Sequence, residues 1–131
     1  MIELLMQGAI YSALTNDAPV TALVGGRVHD AVPAKPVFPY VRIGEDQCID
    51  ASDACLGGFE IIVKVHVFSR AVGRVETKTI LAACRDALNV ALTLAGHTVK
   101  VSEFLTTRVL DDPDGLTRHG VLELRYVIEV G

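Results

Sequence analysis

Four histidines, three cysteines and two groups of aspartates carry most of the chemistry this 131-residue chain can offer. His29, His66, His97 and His119 show no His-x-x-x-His or His-Glu-x-x-His spacing, so no zinc site is spelled out. His66 falls on the polar side of a strand pattern and reads as a solvated or hydrogen-bonded sheet histidine. His119 follows Asp111-Asp112-Pro113-Asp114-Gly115, and an Asp–His pair can pass protons. No nucleophile motif accompanies it, so a charged hairpin loop is the plainer reading. The same turn lacks the spacing of a calcium loop. Cys48, Cys55 and Cys84 make an odd count, which fits a reducing compartment. Cys48 and Cys55 are near enough in sequence for a disulfide, but their spacing is not that of metal ligands. Gly25-Gly26 and Gly57-Gly58 are isolated pairs rather than phosphate cradles, and no Gly-x-Ser-x-Gly or catalytic-cysteine signature occurs. These residues assign no catalytic, cofactor or metal site.

The elements that must position them follow from periodicity. Residues 59–68 alternate Phe59, Ile61, Val63, Val65 and Val67 on one face with Glu60, Ile62, Lys64, His66 and Phe68 on the other, the period of a strand. Ile2, Leu5, Met6, Ala9, Ile10, Ala13 and Leu14 make a helical stripe over 2–14, with Asn16 as a left-handed stop. Asp17 reads as the N-cap of a short helix over 18–24, seated by Val20, Leu23 and Val24 and closed by Gly25-Gly26. Residues 27–29 form a short edge strand. Pro33, Pro36 and Pro39 delay the next strand to 38–43. The polar stretch 44–58, with Asp46, Asp50 and Asp53, reads as a long loop. Gly73 with Glu76 opens the main helix. Its expected buried face is Val75, Thr79, Ile80, Ala83, Cys84, Ala87, Leu88, Ala91 and Leu92, and Gly96 its stop. Strands over 98–110 and 120–130 flank the acidic turn, the latter with Leu122, Leu124, Tyr126, Ile128 and Val130 on one side. The expected fold is α+β: one domain over 1–131, a single antiparallel sheet of about four strands, and the helices packed on one face. Hairpin links pair 38–43 with 59–68 and 98–110 with 117–130.

Composition bounds the function further. A net charge of −4, without any Lys/Arg run, argues against gripping nucleic acid, because phosphate binding needs a basic patch. Aromatics at 5% and the lack of Trp give no platform for bases or sugars. No apolar run approaches a membrane span, and the N-terminus lacks the basic residues of a signal peptide. Yet half the residues are hydrophobic and the mean hydropathy is +0.40, which leaves apolar surface to be buried in a tight core or against a partner.

Four segments, taken in order, resemble the phage tail completion family, which includes the tail-to-head joining proteins of long-tailed phages and prophages and is distantly similar to lambda-type tail terminators. They are Ala18-Pro-Val-Thr-Ala-Leu-Val-Gly-Gly-Arg-Val-His29, Val32-Pro-Ala-Lys-Pro-Val-Phe-Pro-Tyr-Val-Arg42, Val65-His-Val-Phe-Ser-Arg70 before the long helix, and Asp111-Asp-Pro-Asp-Gly-Leu-Thr-Arg-His119 before the last strand. The 44–58 stretch with its two cysteines departs from the family's pattern. The resemblance implies a non-enzymatic virion component without cofactors. It would form a ring, commonly hexameric, at the top of the tail, after assembly in the bacterial cytoplasm. Its implied partners are copies of itself, the tail tube protein and head-side neck proteins, with no membrane. DNA would pass through without specific binding, past acidic residues drawn from Asp46, Asp50 and Asp53 or from Asp111, Asp112 and Asp114. Two other readings are a head-completion protein on the capsid side and a small enzyme using His119 with the Asp111–Asp114 turn.

Overall fold

A computed structural model describes residues 1–51 and 58–130. The expected loop residue Asp53 and the thiol Cys55 therefore lie outside the described residues. In chain order the elements are α1 (Ile2–Thr15), α2 (Ala18–Val24), β1 (Val28–His29), β2 (Tyr40–Asp50), β3 (Gly58–Ser69), α3 (Val75–Leu88), β4 (His97–Asp111) and β5 (Arg118–Val130). The strands form one sheet in the order β1-β2-β3-β5-β4. That is five strands where about four are expected, because residues 28–29 join the sheet as a parallel edge beside Val41 and Arg42. All other neighbours are antiparallel, including both expected hairpins. The central pair, β3 with β5, is in unbroken register from Gly58↔Glu129 to Ser69↔Arg118.

All three helices pack on one face. Ile61, Val63, Val65 and Val67 of β3 and Leu122, Leu124, Tyr126 and Ile128 of β5 meet Met6, Ile10 and Leu14 of α1, Val20 and Val24 of α2, and Ile80, Cys84 and Leu88 of α3. Each fully buried Leu or Ile side chain contributes about 1.5–3 kcal/mol, so this layer outweighs any single polar contact in holding the fold. Asp17 caps α2 as expected, its carboxylate accepting from the Val20 amide at 3.1 Å. Asn16 does end α1, but in right-handed geometry, with φ −97°.

Three further expectations need correction. The stretch 44–58 is not a loop throughout: β2 continues to Asp50, paired with β3 from Asp46↔Val63 to Asp50↔Phe59. A bulge between Ile43 and Asp46 resets the register, and beyond it the outer half of β2 is an exposed, polar edge strand. Helix α3 stops at Leu88 instead of running to Gly96. The Tyr126 hydroxyl donates to the Leu88 carbonyl at 2.6 Å and the Ser102 hydroxyl to that of Val90, so tertiary donors satisfy carbonyls that another turn would have used. Gly96, at φ 73°, serves the turn into β4. The buried stripe of α3 is Thr77, Ile80, Leu81, Cys84 and Leu88, with Val75 78% exposed. The helix is thus rotated toward β5, where Gly120 lets it come close.

Candidate functional site

The face of the sheet without helices carries the polar chemistry. Glu45 stands at the β2 bulge, His66 in the middle of β3 and His119 near the start of β5. His66 is 6% exposed and bridges the other two: Nε2 lies 2.7 Å from Glu45 Oε1, and Nδ1 lies 2.7 Å from His119 Nε2. A carboxylate only accepts, so His66 Nε2–H donates to Glu45, and Nδ1 shares one proton with His119 Nε2. Burial, and next the nearby His66, hold the His119 pKa below its usual value. The hydrogen bond from His66 holds Glu45 below the ordinary carboxylate range. Gly44 is required beside this chain, because a Cβ there would overlap the His66 ring.

An aromatic row flanks the histidines. The Phe68 ring stacks on His119 at 4.4 Å between centroids and on Tyr40 at 5.0 Å, while Phe38 packs against Tyr40. Arg70 lies over Phe38 at 4.2 Å. The row fastens β2, β3 and β5 side by side. Low aromatic content hid it, because the rings are gathered at one end of the sheet, and only the β3–β5 register places His119 opposite Phe68.

His66 is therefore the hydrogen-bonded sheet histidine expected of it. His119 turns toward His66, and the alternative Asp–His pair does not form with either Asp111 or Asp114, in keeping with the plainer reading of a charged hairpin. Asp111, the last residue of β4, pairs with Arg74 at 2.8 Å and Arg118 at 3.2 Å. Asp114 accepts from the Thr117 hydroxyl at 2.7 Å and from the amides of Thr117 and Leu116. These bonds, led by that of Thr117, hold its pKa down at about 2. The Arg70 Nε donates in turn to Thr117 at 3.1 Å. Asp111 and Asp114 thus lie against Arg70 and Arg74 of the β3–α3 link and Arg118 of β5, and three cations stand by the three aspartates of the tip. Asp46 and Asp50 sit toward the opposite end of the sheet, on β2.

The described residues contain no group of three or more His, Cys, Asp or Glu side chains that could hold a metal ion. Cys84 is buried, and burial raises its thiol pKa to about 12, so it is inert at neutral pH. Among the described residues no helix is long and apolar enough to cross a membrane. The Glu45–His66–His119 chain fixes three strands relative to one another, and its central ring is buried. What the surface offers is edges and charge.

Comparison with known proteins bears on that surface. The family described as "Tail completion protein gp17" matches residues 8–129. The tail completion protein gp17 of Bacillus phage SPP1 is 26% identical over 124 residues, covering 94% of this chain and 91% of that one. A chain in the virion of a native gene transfer agent particle is 32% identical, with a TM-score of 0.88, covering 98% of this chain and 97% of that one. The solved structure of bacteriophage SPP1 gp17 shares the fold, with a TM-score of 0.65 at 24% identity, covering 96% of this chain and 90% of that one.

Proposed function

The chain belongs to the tail completion protein gp17 family, and from that membership we propose that it caps the tail tube of a phage or phage-like particle and joins it to the head as a ring of identical subunits, six in number. It is a structural protein and not an enzyme: its family completes tails. The observation that carries the reading is the agreement, over nearly the whole of both chains, with a component of a gene transfer agent virion.

The monomer is suited to the role. Both outer strands of its sheet present edges, and a subunit with two different edges can join copies head to tail until the rotation closes a ring. The rigid β3–β5 pair holds these edges in fixed relation. A net charge of −4 per subunit makes a ring that repels DNA passing through it. The balanced tip around Asp111, Asp112 and Asp114 adds little to that field. The partners in this reading are the tail tube protein below and head-side neck proteins above. Its place is the top of the tail in the virion, reached after assembly in the host cytoplasm.

Electron microscopy of particles made without the protein tests this. Overlong or headless tails are the expected outcome. Tails of normal length beside heads that leak DNA would move the protein to the capsid side and overturn the reading.

A further inference from the structure

The two edges of the sheet differ in charge. At one, β1 covers only Val41 and Arg42, so among the described residues β2 has no outer strand partner from Ile43 to Ile49. Asp46 and Asp50 are exposed there and alternate with Cys48 on the helix side of the sheet, where Glu3 of α1 lies close to Cys48. No Lys or Arg occurs between Ile43 and Asp50, and Glu3 is the one charged side chain of α1. The same helix exposes Leu4 and Tyr11 at 65% and 47%.

At the other edge, α3 and β4 enclose a groove of about 430 Å³. Arg74, Lys78 and Arg85 of α3 line it beside the apolar Leu81 and Val109, and no carboxylate is among its lining residues; Arg108, opposite Val121, adjoins it from the helix-free face of the edge strand. Arg74 is matched by Asp111, and Arg85 lies 3.6 Å from Asp86 and over the Phe104 ring. Lys78 and Arg108 join none of the ion pairs among the described residues. Four of the chain's 12 cations thus stand along this edge, and two of them, Lys78 and Arg108, carry charge that an acidic surface would neutralise.

We propose that this groove is one half of a head-to-tail contact between copies of the chain, and that its occupant is the α1–β2 edge of the neighbour, with Glu3 and Asp46 facing Lys78 and Arg108. The proposal rests on the ring reading above and names its interface. Two acidic edges repel each other, as do two basic grooves, so the charges disfavour a closed two-fold dimer and favour the heterologous contact that builds rings. Burial of Leu4, Tyr11 and the half-buried Val109 supplies apolar area, while the rim charges set partner and direction. The open edges of β2 and β4 are free to add backbone pairing.

Charge reversal tests it. One variant carries Lys78→Glu and Arg108→Glu; the other carries Glu3→Lys and Asp46→Lys. All four positions are exposed or half-buried, and circular dichroism confirms that each variant folds. Self-association is followed by sedimentation velocity over a concentration series, and copy number per particle by quantitative mass spectrometry. The wild type associates; each variant alone weakens by at least about tenfold; an equimolar mixture recovers, because acidic grooves now face basic edges and the two alternate around a ring. If the wild type and both variants associate equally, the contact lies elsewhere and the ring reading stands. If either variant loses its place in particles and mixing does not restore it, the groove takes an acidic segment of another virion protein, and the proposal fails. A single copy per particle would overturn the ring reading and this contact together.

Discussion

Residue by residue, the polar face works through arrangement rather than through charge. His66 is nearly enclosed, and each of its ring nitrogens has a partner at 2.7 Å. A net hydrogen bond contributes about 0.5–1.5 kcal/mol, less than one buried leucine, but leaving either nitrogen unpaired would cost about 1–3 kcal/mol. The chain from His119 through His66 to Glu45 therefore selects the register of three strands more than it stabilises them. It also makes stability depend on pH. The folded protein holds His119 below the value of about 6.5 that it takes in the unfolded chain, so the unfolded chain binds more protons below that pH. The contribution of His119 is complete above about pH 6.5 and is lost as pH falls toward its folded value. The depressed Glu45 acts in the same direction at lower pH, with stability present above its unfolded value and lost below it. The melting temperature should thus fall from pH 7.5 to pH 5, and His119→Gln should flatten that fall while keeping a donor toward His66. An unchanged slope in the variant would show that the pH dependence arises elsewhere. Alternation along β3 was enough to place His66 on the polar face. The partnership with His119 was not legible, because it depends on two strands separated by α3, and proximity in sequence pointed His119 toward the acidic turn instead.

Among the elements, the edges and the helix–sheet contact matter most. Polarity made the outer half of β2 look like a loop, yet an edge strand with little cover has no need of apolar residues on both faces. The short β1 strand was legible at Arg27-Val28-His29, but its parallel pairing with β2 was not. For α3 the periodicity gave the helix and most of its length. Its rotation and its end depend on Gly120, Tyr126 and Ser102, which lie well downstream in the sequence. A Cβ on Gly120 would stand 2.8–3.0 Å from side-chain atoms of Leu81 and Thr77. Gly120→Val should therefore push α3 away from β5 and cost about 1–3 kcal/mol, read by chemical denaturation. A variant as stable as the wild type would mean that α3 does not rest on β5 as described. The Gly120 contact lies on the helix side of the sheet, so the variant should leave the polar face and its pH dependence in place.

For the whole molecule, the useful property is asymmetry. One edge is acidic, the other basic, and a sheet stiffened by twelve continuous β3–β5 pairings lies between them. That suits a subunit whose task is to hold neighbours at a fixed angle. The α+β class and the helices on one face were both legible from period and turn chemistry, since local pattern decides them. The resemblance to tail completion proteins was carried by segments spread along the chain and agrees with the family match over residues 8–129. Charge polarity across the sheet was hidden: Arg74, Lys78, Arg85 and Arg108 look scattered until α3 lies along β4. The most direct test is electron cryomicroscopy of purified particles containing the protein. The account predicts a closed ring of this chain, one subunit thick, at the junction of tail tube and head, with the α3–β4 groove of each subunit against the α1–β2 edge of the next. Density for the protein at the distal tip, on the capsid side of the neck, or as a single copy off the axis would contradict it.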